Sequence, residues 1–501
     1  MASVRQQILE KLQEKEVMIA PPALETLEQQ ERAMDLVGEL LSESSELVIS
    51  EQAVNDFLDS KTAGKKVVQV DVIQKKNYNP PAKSVEPQLE LSVRDSDISS
   101  KSRCTGSVDD FVRHFRNRFR KQRDVLRGIR SQASGIYPLK EAKSGVTQRE
   151  FRVIGMVYEK RVTKNGHLLL EIEDEETSAN VLAVKDSPAF EQAQKIMLDE
   201  MLAFDVRASK SSLLIIQRIV QPGAMLQERR KKTVEEDISM AFLSDLHVGS
   251  RYFLQENFQR MLRFLNGEGD EKEKTIAGRI KYISVAGDLV DGIGVYPRQE
   301  QQLVTKNIYT QYEILCEFLK NIPEHIEVII CPGNHDAVRT AEPQPAISEE
   351  FRRSLNGYSN LHFVGNPSRH RVHGLEHLMY HGTSVDGLIS HSAALKEGYE
   401  HPEQVAVAML ERRHLCPVYG EDPVVPEVPD LMLIDETPDV FHFGHVHKLG
   451  YLEDYNGTFV INSGTWQDRT DFQVRMGHIP SPALFPVYDM KTGKIKVLNF
   501  L

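Results

Sequence analysis

Along the first sixty residues the apolar positions recur at helical spacing: Ile8 and Leu12, then Leu24, Leu27, Met34, Val37 and Leu41. Pro21-Pro22 divides a short first helix from those that follow, because proline is tolerated only in a first turn. The spacing predicts a helical N-terminal module over 1–60, either a plain bundle or a surface for docking a partner. From 61 to 107 no apolar period persists. Lysine, serine and proline dominate (Lys65-Lys66, Lys75-Lys76, Pro80-Pro81, Ser99-Ser100), and the composition predicts a flexible linker.

The helical period returns over 108–140. Phe111, Phe115 and Phe119 sit four apart and share one face, while Arg113, Arg116, Arg120 and Arg123 occupy the others. Asp109 and Asp110 suit the positive end of the helix dipole. Such a helix either packs its phenylalanine stripe and leaves a solvated basic face, or offers that face to nucleic-acid phosphates. Over 141–225 the pattern changes to five short apolar runs: Phe151–Val157, Leu168–Ile172, Asn180–Val184, Met201–Val206 and Leu213–Ile219. Asn165-Gly166 supplies a tight turn, and Ser187-Pro188 caps and opens one helix between the third and fourth runs. Five strands with a helix after the third predict an OB-fold β-barrel, a fold used both for single strands and for protein docking.

From 226 to 501 strands alternate with amphipathic helices. Ile238–Leu243 precedes a helix carrying Phe258, Met261, Leu262 and Leu265; Tyr282–Ala286 precedes one carrying Ile308, Tyr312, Leu315 and Leu319; Ile326–Cys331 follows. This rhythm predicts a layered α/β domain with its chemistry at the carboxyl ends of the strands. Pro486–Leu498 reads as a hairpin around Thr492-Gly493.

A chain of 501 residues exceeds one ordinary domain. With 40% hydrophobic and 27% charged residues, its composition is that of a globular protein. No apolar run approaches the ~20 residues a membrane span requires, so no membrane partner is expected. The start of the chain lacks the features of a signal peptide, and the scattered Cys104, Cys316, Cys331 and Cys416 suit a reducing cytoplasm. A net charge of −12 excludes a generally basic nucleic-acid binder while leaving room for local basic patches.

The candidate chemistry lies in five breaks, each after an apolar strand. They are Asp245-x-His247, Gly-Asp288-Leu-Val-Asp291, Gly-Asn334-His335-Asp336, Tyr-His381-Gly and Gly-His445-x-His447. Asp245 and His247 leave an extended strand on one side, so both can grip one cation. The donors are carboxylates, one amide and several imidazoles, a set favouring Mn, Fe, Zn or Ni over Mg. One carboxylate can bridge two ions, and such a pair acidifies a water into a nucleophile at neutral pH. A histidine opposite can protonate the departing oxygen. His442, between two apolar residues, reads instead as a core side chain.

These five motifs resemble those of the calcineurin-like metallophosphoesterases. Their longer context, Gly-Asp-Leu-Val-Asp-Gly-Ile-Gly-Val-Tyr-Pro (287–297), Pro-Gly-Asn-His-Asp-Ala-Val-Arg with a following Pro-Gln-Pro (332–345) and Asn-Ser-Gly-Thr-Trp-Gln (462–467), resembles the small subunits of archaeal family-D DNA polymerases. The resemblance is most specific over 236–470. It implies a proofreading 3′–5′ exonuclease that works on single-stranded or mismatched DNA 3′ ends beside a large catalytic polymerase subunit. It implies that Asp245, His247, Asp288 and His447 hold one metal, that Asp288 bridges to a second held by Asn334, His381 and His445, and that His335 is the acid–base residue. Asp291 and Asp336 are then expected to orient ligands from behind. Two divalent metals per site are expected, with manganese first among the candidates and Fe, Zn or Ni as alternatives. A non-catalytic scaffold subunit and a phosphatase or phosphodiesterase of the same fold are the competing readings. A metal-free protein that still binds its partner would favour the scaffold; turnover of a small phosphate ester without action on DNA would favour the phosphatase.

Overall fold

The computed structural model describes residues 4–13, 15, 17–30, 33–43, 48–49, 54, 70–73, 78–131, 133–144, 150–209, 213–223 and 229–501. These fall into two units, Met1–Asp71 and Val72–Leu501. In the first, helices Val4–Gln13, Pro21–Glu28 and Ala33–Glu43 bury Ile8, Leu12, Leu24, Leu27, Val37 and Leu40 together. Pro21 opens the second helix, as the sequence predicts. Strands β1 (Met18–Ile19) and β2 (Val48–Ile49) pair in parallel, and two-residue strands are too short to show a period. Positions 55–69 and 74–77, the end of the predicted module and much of the predicted linker, lie outside the described residues.

Most of the described part of the predicted linker, 78–107, is instead packed within the second unit. Tyr78 donates its hydroxyl to the Lys274 carbonyl at 2.9 Å, and the Gln88 amide donates to the Tyr282 hydroxyl at 2.9 Å. Strand β3 (Leu89–Glu90) joins the edge of a sheet, and the buried Asp97 carboxylate accepts from the Gly365 amide at 3.0 Å. The anchors Tyr78, Ala82, Val93, Asp97 and Ile98 have no regular spacing. An extended strap held by isolated anchors leaves no periodic trace, which is why composition alone suggests a linker.

Helix Val108–Gly128 starts on a capping box between Ser107 and Asp110. Its phenylalanine stripe is only its flank: Phe119 is buried, whereas Phe111 and Phe115 are half-buried and meet the Tyr419 ring edge-on. The centre of the buried face is polar, with Asp110, His114, Arg118 and Gln122. Arg118 Nε donates to Asp430 Oδ2 at 2.8 Å with both side chains at most 3% exposed, and Gln122 donates to the Arg412 carbonyl. Breaking a buried pair from one side strands the other charge, so Arg118→Ala should cost about 3 kcal/mol. That is the low end of the usual range, because His414 stays 3.1 Å from Asp430. A thermal-unfolding midpoint unchanged in Arg118→Ala would refute the assignment.

Strands β4 (Phe151–Val162), β5 (Leu168–Glu173), β6 (Ser178–Ala183), β7 (Met201–Ala208) and β8 (Leu214–Val220) close a barrel in the order β4-β5-β6-β8-β7. Helix Pro188–Gln194, capped by the Ser187 hydroxyl, lies between β6 and β7. All five strands and the helix fall where their sequence pattern predicts, with β4 running on to Val162. Alternate residues, among them Val153, Leu170, Val181 and Phe204, fill the interior.

The rest of the unit is a sandwich. Strands β9 (Ser239–Leu243), β10 (Ile280–Ala286), β11 (Glu327–Cys331) and β12 (Leu361–Phe363) run parallel. A second sheet follows from β13 (Ser368–Val372), β14 (Leu375–Met379), β15 (Val440–Phe443), β16 (Leu449–Tyr455) and β17 (Thr458–Ser463), with β3 at its edge. Strands β18 (Leu484–Asp489) and β19 (Lys494–Asn499), the predicted hairpin, complete the first sheet alongside β9. Met240, Phe242, Tyr282 and Ile329 of the first sheet pack against Val372, Met379, Phe459 and Ile461 of the second. The other face of the second sheet, including Phe441, Phe443 and Val460, packs on helix Pro402–Arg412 through Val405, Ala406 and Met409. His442 is a core residue as expected: its Nδ1 meets Ser284 Oγ at 2.8 Å and its Nε2 meets Ser463 Oγ at 3.0 Å. Strand β10 is buried at every position, and a strand covered on both faces reads as a continuous apolar run.

Candidate metal centre

The five ligand-bearing breaks follow β9, β10, β11, β14 and β15, at the carboxyl ends of the parallel strands of both sheets. The apolar strands end where their residues can no longer face a core, and the chain turns sharply there. Asp245 and His247 have φ of 53° each, Asp288 51°, His445 75° and His447 57°. This left-handed backbone costs about 1–3 kcal/mol for a residue with a Cβ. Asp245 and His247 therefore converge through two left-handed turns, not by leaving one extended strand on one side as the sequence suggests. Gly287, at φ 81°, leaves room for the imidazole of His381: a Cβ there would come within 2.5 Å of His381 Nδ1.

The predicted residues assemble in one place. Donor atoms of Asp245, His247 and His447 lie together, as do those of Asp245, Asp288 and His381, and those of His247, Asp288 and His335. Asp288 belongs to the last two groups, with Oδ1 3.4 Å from His381 Nε2 and Oδ2 3.7 Å from His247 Nε2. Asn334 Oδ1 stands between His381 Nε2 at 2.9 Å and His445 Nδ1 at 3.1 Å. His247 Nε2 and His447 Nε2 face each other at 3.0 Å.

The outward nitrogens are held from behind. His247 Nδ1 donates to Asp291 Oδ1 at 3.1 Å, His381 Nδ1 to the Ala286 carbonyl at 2.8 Å, and His445 Nε2 to Asp386 Oδ2 at 3.0 Å. These bonds fix each ring with its other nitrogen turned into the centre, the orientation a metal ligand requires. His335 Nδ1 donates to the Asp291 carbonyl at 2.8 Å, which leaves its Nε2 on the side of Asp288, 3.9 Å from Oδ2. Asp336 ties loops together by accepting from the Leu289 and Gly333 amides and the Tyr312 hydroxyl.

The charges are those of a cation site. Burial, with Asp288 adding, pushes the Asp245 carboxyl up to about 6. Burial works against a charged His381, yet the Asp288 and Asp245 carboxylates raise it to about 10. The carboxylates thus require a positive partner, and His381 carries that charge as an imidazolium; a divalent ion binding there would displace the proton. Inward-turned imidazole nitrogens, the Asn334 amide oxygen and buried carboxylates together fit two metal ions.

The sequence pattern assigns no role to several residues that contribute here. Gln467 Nε2 and Gln299 Nε2 donate to the Asp291 carboxylate at 3.0 and 3.1 Å. Gln473 Nε2 lies 2.9 Å from His447 Nδ1; Thr470-x-x-Gln473 is a capping box that the sequence could have disclosed. Asp386 has no such signal. The Pro-Gln-Pro stretch acts as a strut: the buried Gln344 donates to the Gly333 and Arg339 carbonyls, and its Oε1 receives Asn366 Nδ2, whose Oδ1 in turn receives the His381 amide. Asn462–Gln467 fastens the first break, since the Trp466 amide and Thr465 hydroxyl both donate to the Asp245 carbonyl.

The predicted arginines stand apart from this centre in their contacts. Arg120 and Arg123 pair with Glu175 of the barrel, Arg113 pairs with Asp110, and Arg116 is exposed.

Known proteins resemble this chain over both the barrel and the sandwich. Residues 240–449 match the family of B-type subunits of DNA polymerases alpha and epsilon. The DNA polymerase II small subunit of Methanocaldococcus jannaschii is 43% identical over 82% of this chain and 69% of its own length. Those of Archaeoglobus fulgidus and Methanothermobacter thermautotrophicus are 39% and 37% identical, over 78% and 81% of this chain and 77% and 82% of their own. Matches of this identity, spanning more than two thirds of both chains, make this chain a member of the archaeal family-D polymerase (DNA polymerase II) small-subunit family.

Proposed function

We propose that this small subunit is a two-metal 3′–5′ exonuclease that removes mismatched nucleotides for a large catalytic polymerase subunit. The observation that supports it best is the orientation of the imidazoles: three have their outward nitrogens bonded and their inward ones directed at buried carboxylates or the Asn334 amide oxygen. A subunit serving only as a scaffold has no use for five ligand residues in left-handed backbone. Asp245, His247, Asp288 and His447 would hold one ion, and Asp288, Asn334, His381 and His445 the other, with manganese best suited among Mn, Fe, Zn and Ni. When bound, such a pair supplies Lewis acidity and an activated water. Hydrolysis breaks the bond between phosphorus and the 3′ oxygen, releases a nucleoside 5′-monophosphate and leaves a shortened 3′ hydroxyl. His335 Nε2 delivers the proton that the departing 3′ oxygen needs, and the Asp291 carbonyl fixes the ring that carries it. The test is manganese-dependent nucleotide release from a 3′-mismatched primer by the full chain. No release by metal-loaded protein, alone or with its large subunit, would return the centre to a structural role.

The barrel order, with its helix between the third and fourth strands, suits an OB fold guiding a frayed single strand. Arg116, exposed, and Arg120, paired with Glu175 of the barrel, are the cations of the neighbouring helix that would meet such a strand. Their joint replacement by alanine should weaken DNA affinity and lower the slope of log affinity against log salt by about 1.4. An unchanged slope would assign the helix to packing alone.

A further inference from the structure

Segment Ile293–Arg298 is the part of the 287–297 motif, with the residue after it, that neither the metal centre nor its supports account for. It begins two residues after Asp291 and carries an apolar tip into solvent, with Ile293 48% and Val295 38% exposed. An exposed apolar loop is ordinarily mobile. This one is fastened along its length. Gln311, fully buried, receives the Gly292 amide at 2.9 Å and donates to the Gly292 carbonyl at 3.1 Å. Gln299, also fully buried, receives the Val295 amide at 2.9 Å and donates to the Asp291 carbonyl at 2.6 Å. The Tyr296 hydroxyl donates to Gln302 Oε1 at 3.1 Å.

The position of this rigid tip says what it meets. The Tyr296 ring lies 6.1 Å from the His335 ring, and the Asp291 carbonyl that accepts from His335 Nδ1 is the one Gln299 also supports. Loop and imidazole thus share one fixed frame. A terminal nucleoside leaving a phosphodiester at His335 would meet the Tyr296 ring, 6.1 Å away, and the tip that carries it. A flat, sequence-tolerant apolar surface suits any of the four bases, since each has a π-face.

We infer that Ile293, Val295 and Tyr296 form the wall against which the 3′-terminal base lies, with the Tyr296 ring as its platform. The inference rests on the nuclease reading and specifies its substrate: a strand whose last base is unpaired, because a base held in a duplex cannot lie against this wall.

The experiment uses the full chain loaded with manganese and a single strand with 2-aminopurine at its 3′ end, its last linkage a hydrolysis-resistant phosphorothioate. Stacking quenches the fluorophore. Wild type and Tyr296→Phe should quench it, and Tyr296→Ala should not. A probe placed six nucleotides inward should respond equally to all three proteins. On an unmodified strand, Tyr296→Ala should raise KM about tenfold or more, with a smaller effect on kcat. Thermal unfolding checks that each variant is folded. Wild-type release of nucleotides with equal quenching by Tyr296→Ala would overturn the wall and leave the nuclease standing. Absence of release from the unmodified strand would overturn the nuclease, and the quenching series, which needs no hydrolysis, would still decide whether Tyr296 meets the base. A Tyr296→Ala defect confined to large-subunit association would assign the tip to that partner and overturn the wall.

Discussion

Asp288→Ala will abolish manganese-dependent nucleotide release from a mismatched 3′ end, and it will also abolish the rise in unfolding temperature that manganese gives the wild-type chain. Asp288 is 2% exposed and its two oxygens face different imidazoles, His381 on one side and His247 on the other. Loss of either proposed metal position alone would leave partial binding; removal of a carboxylate that serves both would disable both. A ligand at about 100 times its Kd stabilises a protein by about 2.7 kcal/mol, an effect easily read by calorimetry. The variant should still fold: it loses the bond from the His335 amide to the Asp288 carboxylate, but it also relieves the like charge on buried Asp245. Retention of both release and the manganese-induced shift would show that Asp288 bridges nothing.

His335→Ala should separate chemistry from metal binding. Loss of a positioned general acid lowers kcat by about 10²–10⁴-fold. The manganese-induced stabilisation should persist, since the proposed ligands do not include His335, whose Nε2 stands 3.9 Å from Asp288. Burial lowers the His335 pKa, and the Asp288 carboxylate opposes that shift. His335 also stands in one of the donor groups, with His247 and Asp288. If stabilisation and turnover vanish together in His335→Ala, the residue is a ligand and the proton comes from elsewhere.

Wherever a side chain's role depends on its neighbours in the chain, the sequence was informative. In the barrel, β5 and β6 alternate buried and more exposed positions, as a strand with one wet face does, while β4 and β7, covered by helix Val108–Gly128, read as apolar runs. The buried strands β9, β10 and β11 read as apolar runs that stop at Asp245, Asp288 and Asn334, because a core strand must end where polar chemistry begins. Order along the chain thus singled out the seven candidate ligands and His335, which the fold brings into one place. The Pro486–Leu498 hairpin was legible through its Thr492-Gly493 turn.

Other features were settled only by packing across the fold. The strap at 78–107 is ordered by anchors such as Tyr78 and Asp97, whose partners Lys274 and Gly365 lie 196 and 268 residues away. Helix Val108–Gly128 buries Arg118 in preference to the phenylalanine stripe because Asp430, distant in sequence, supplies the opposite charge. The supports of the metal centre, Gln299, Gln344, Asp386, Gln467 and Gln473, are ordinary polar residues until the fold brings a carboxylate or an imidazole against them. The sequence by itself determined which elements form and which atoms are available as ligands, since local pattern dictates both. Only the tertiary structure decided which nitrogen of each histidine faces inward, that Asp288 faces two imidazoles at once, and that the Ile293–Tyr296 tip is held beside His335. Those outcomes depend on contacts made through space, and no spacing along the chain encodes them.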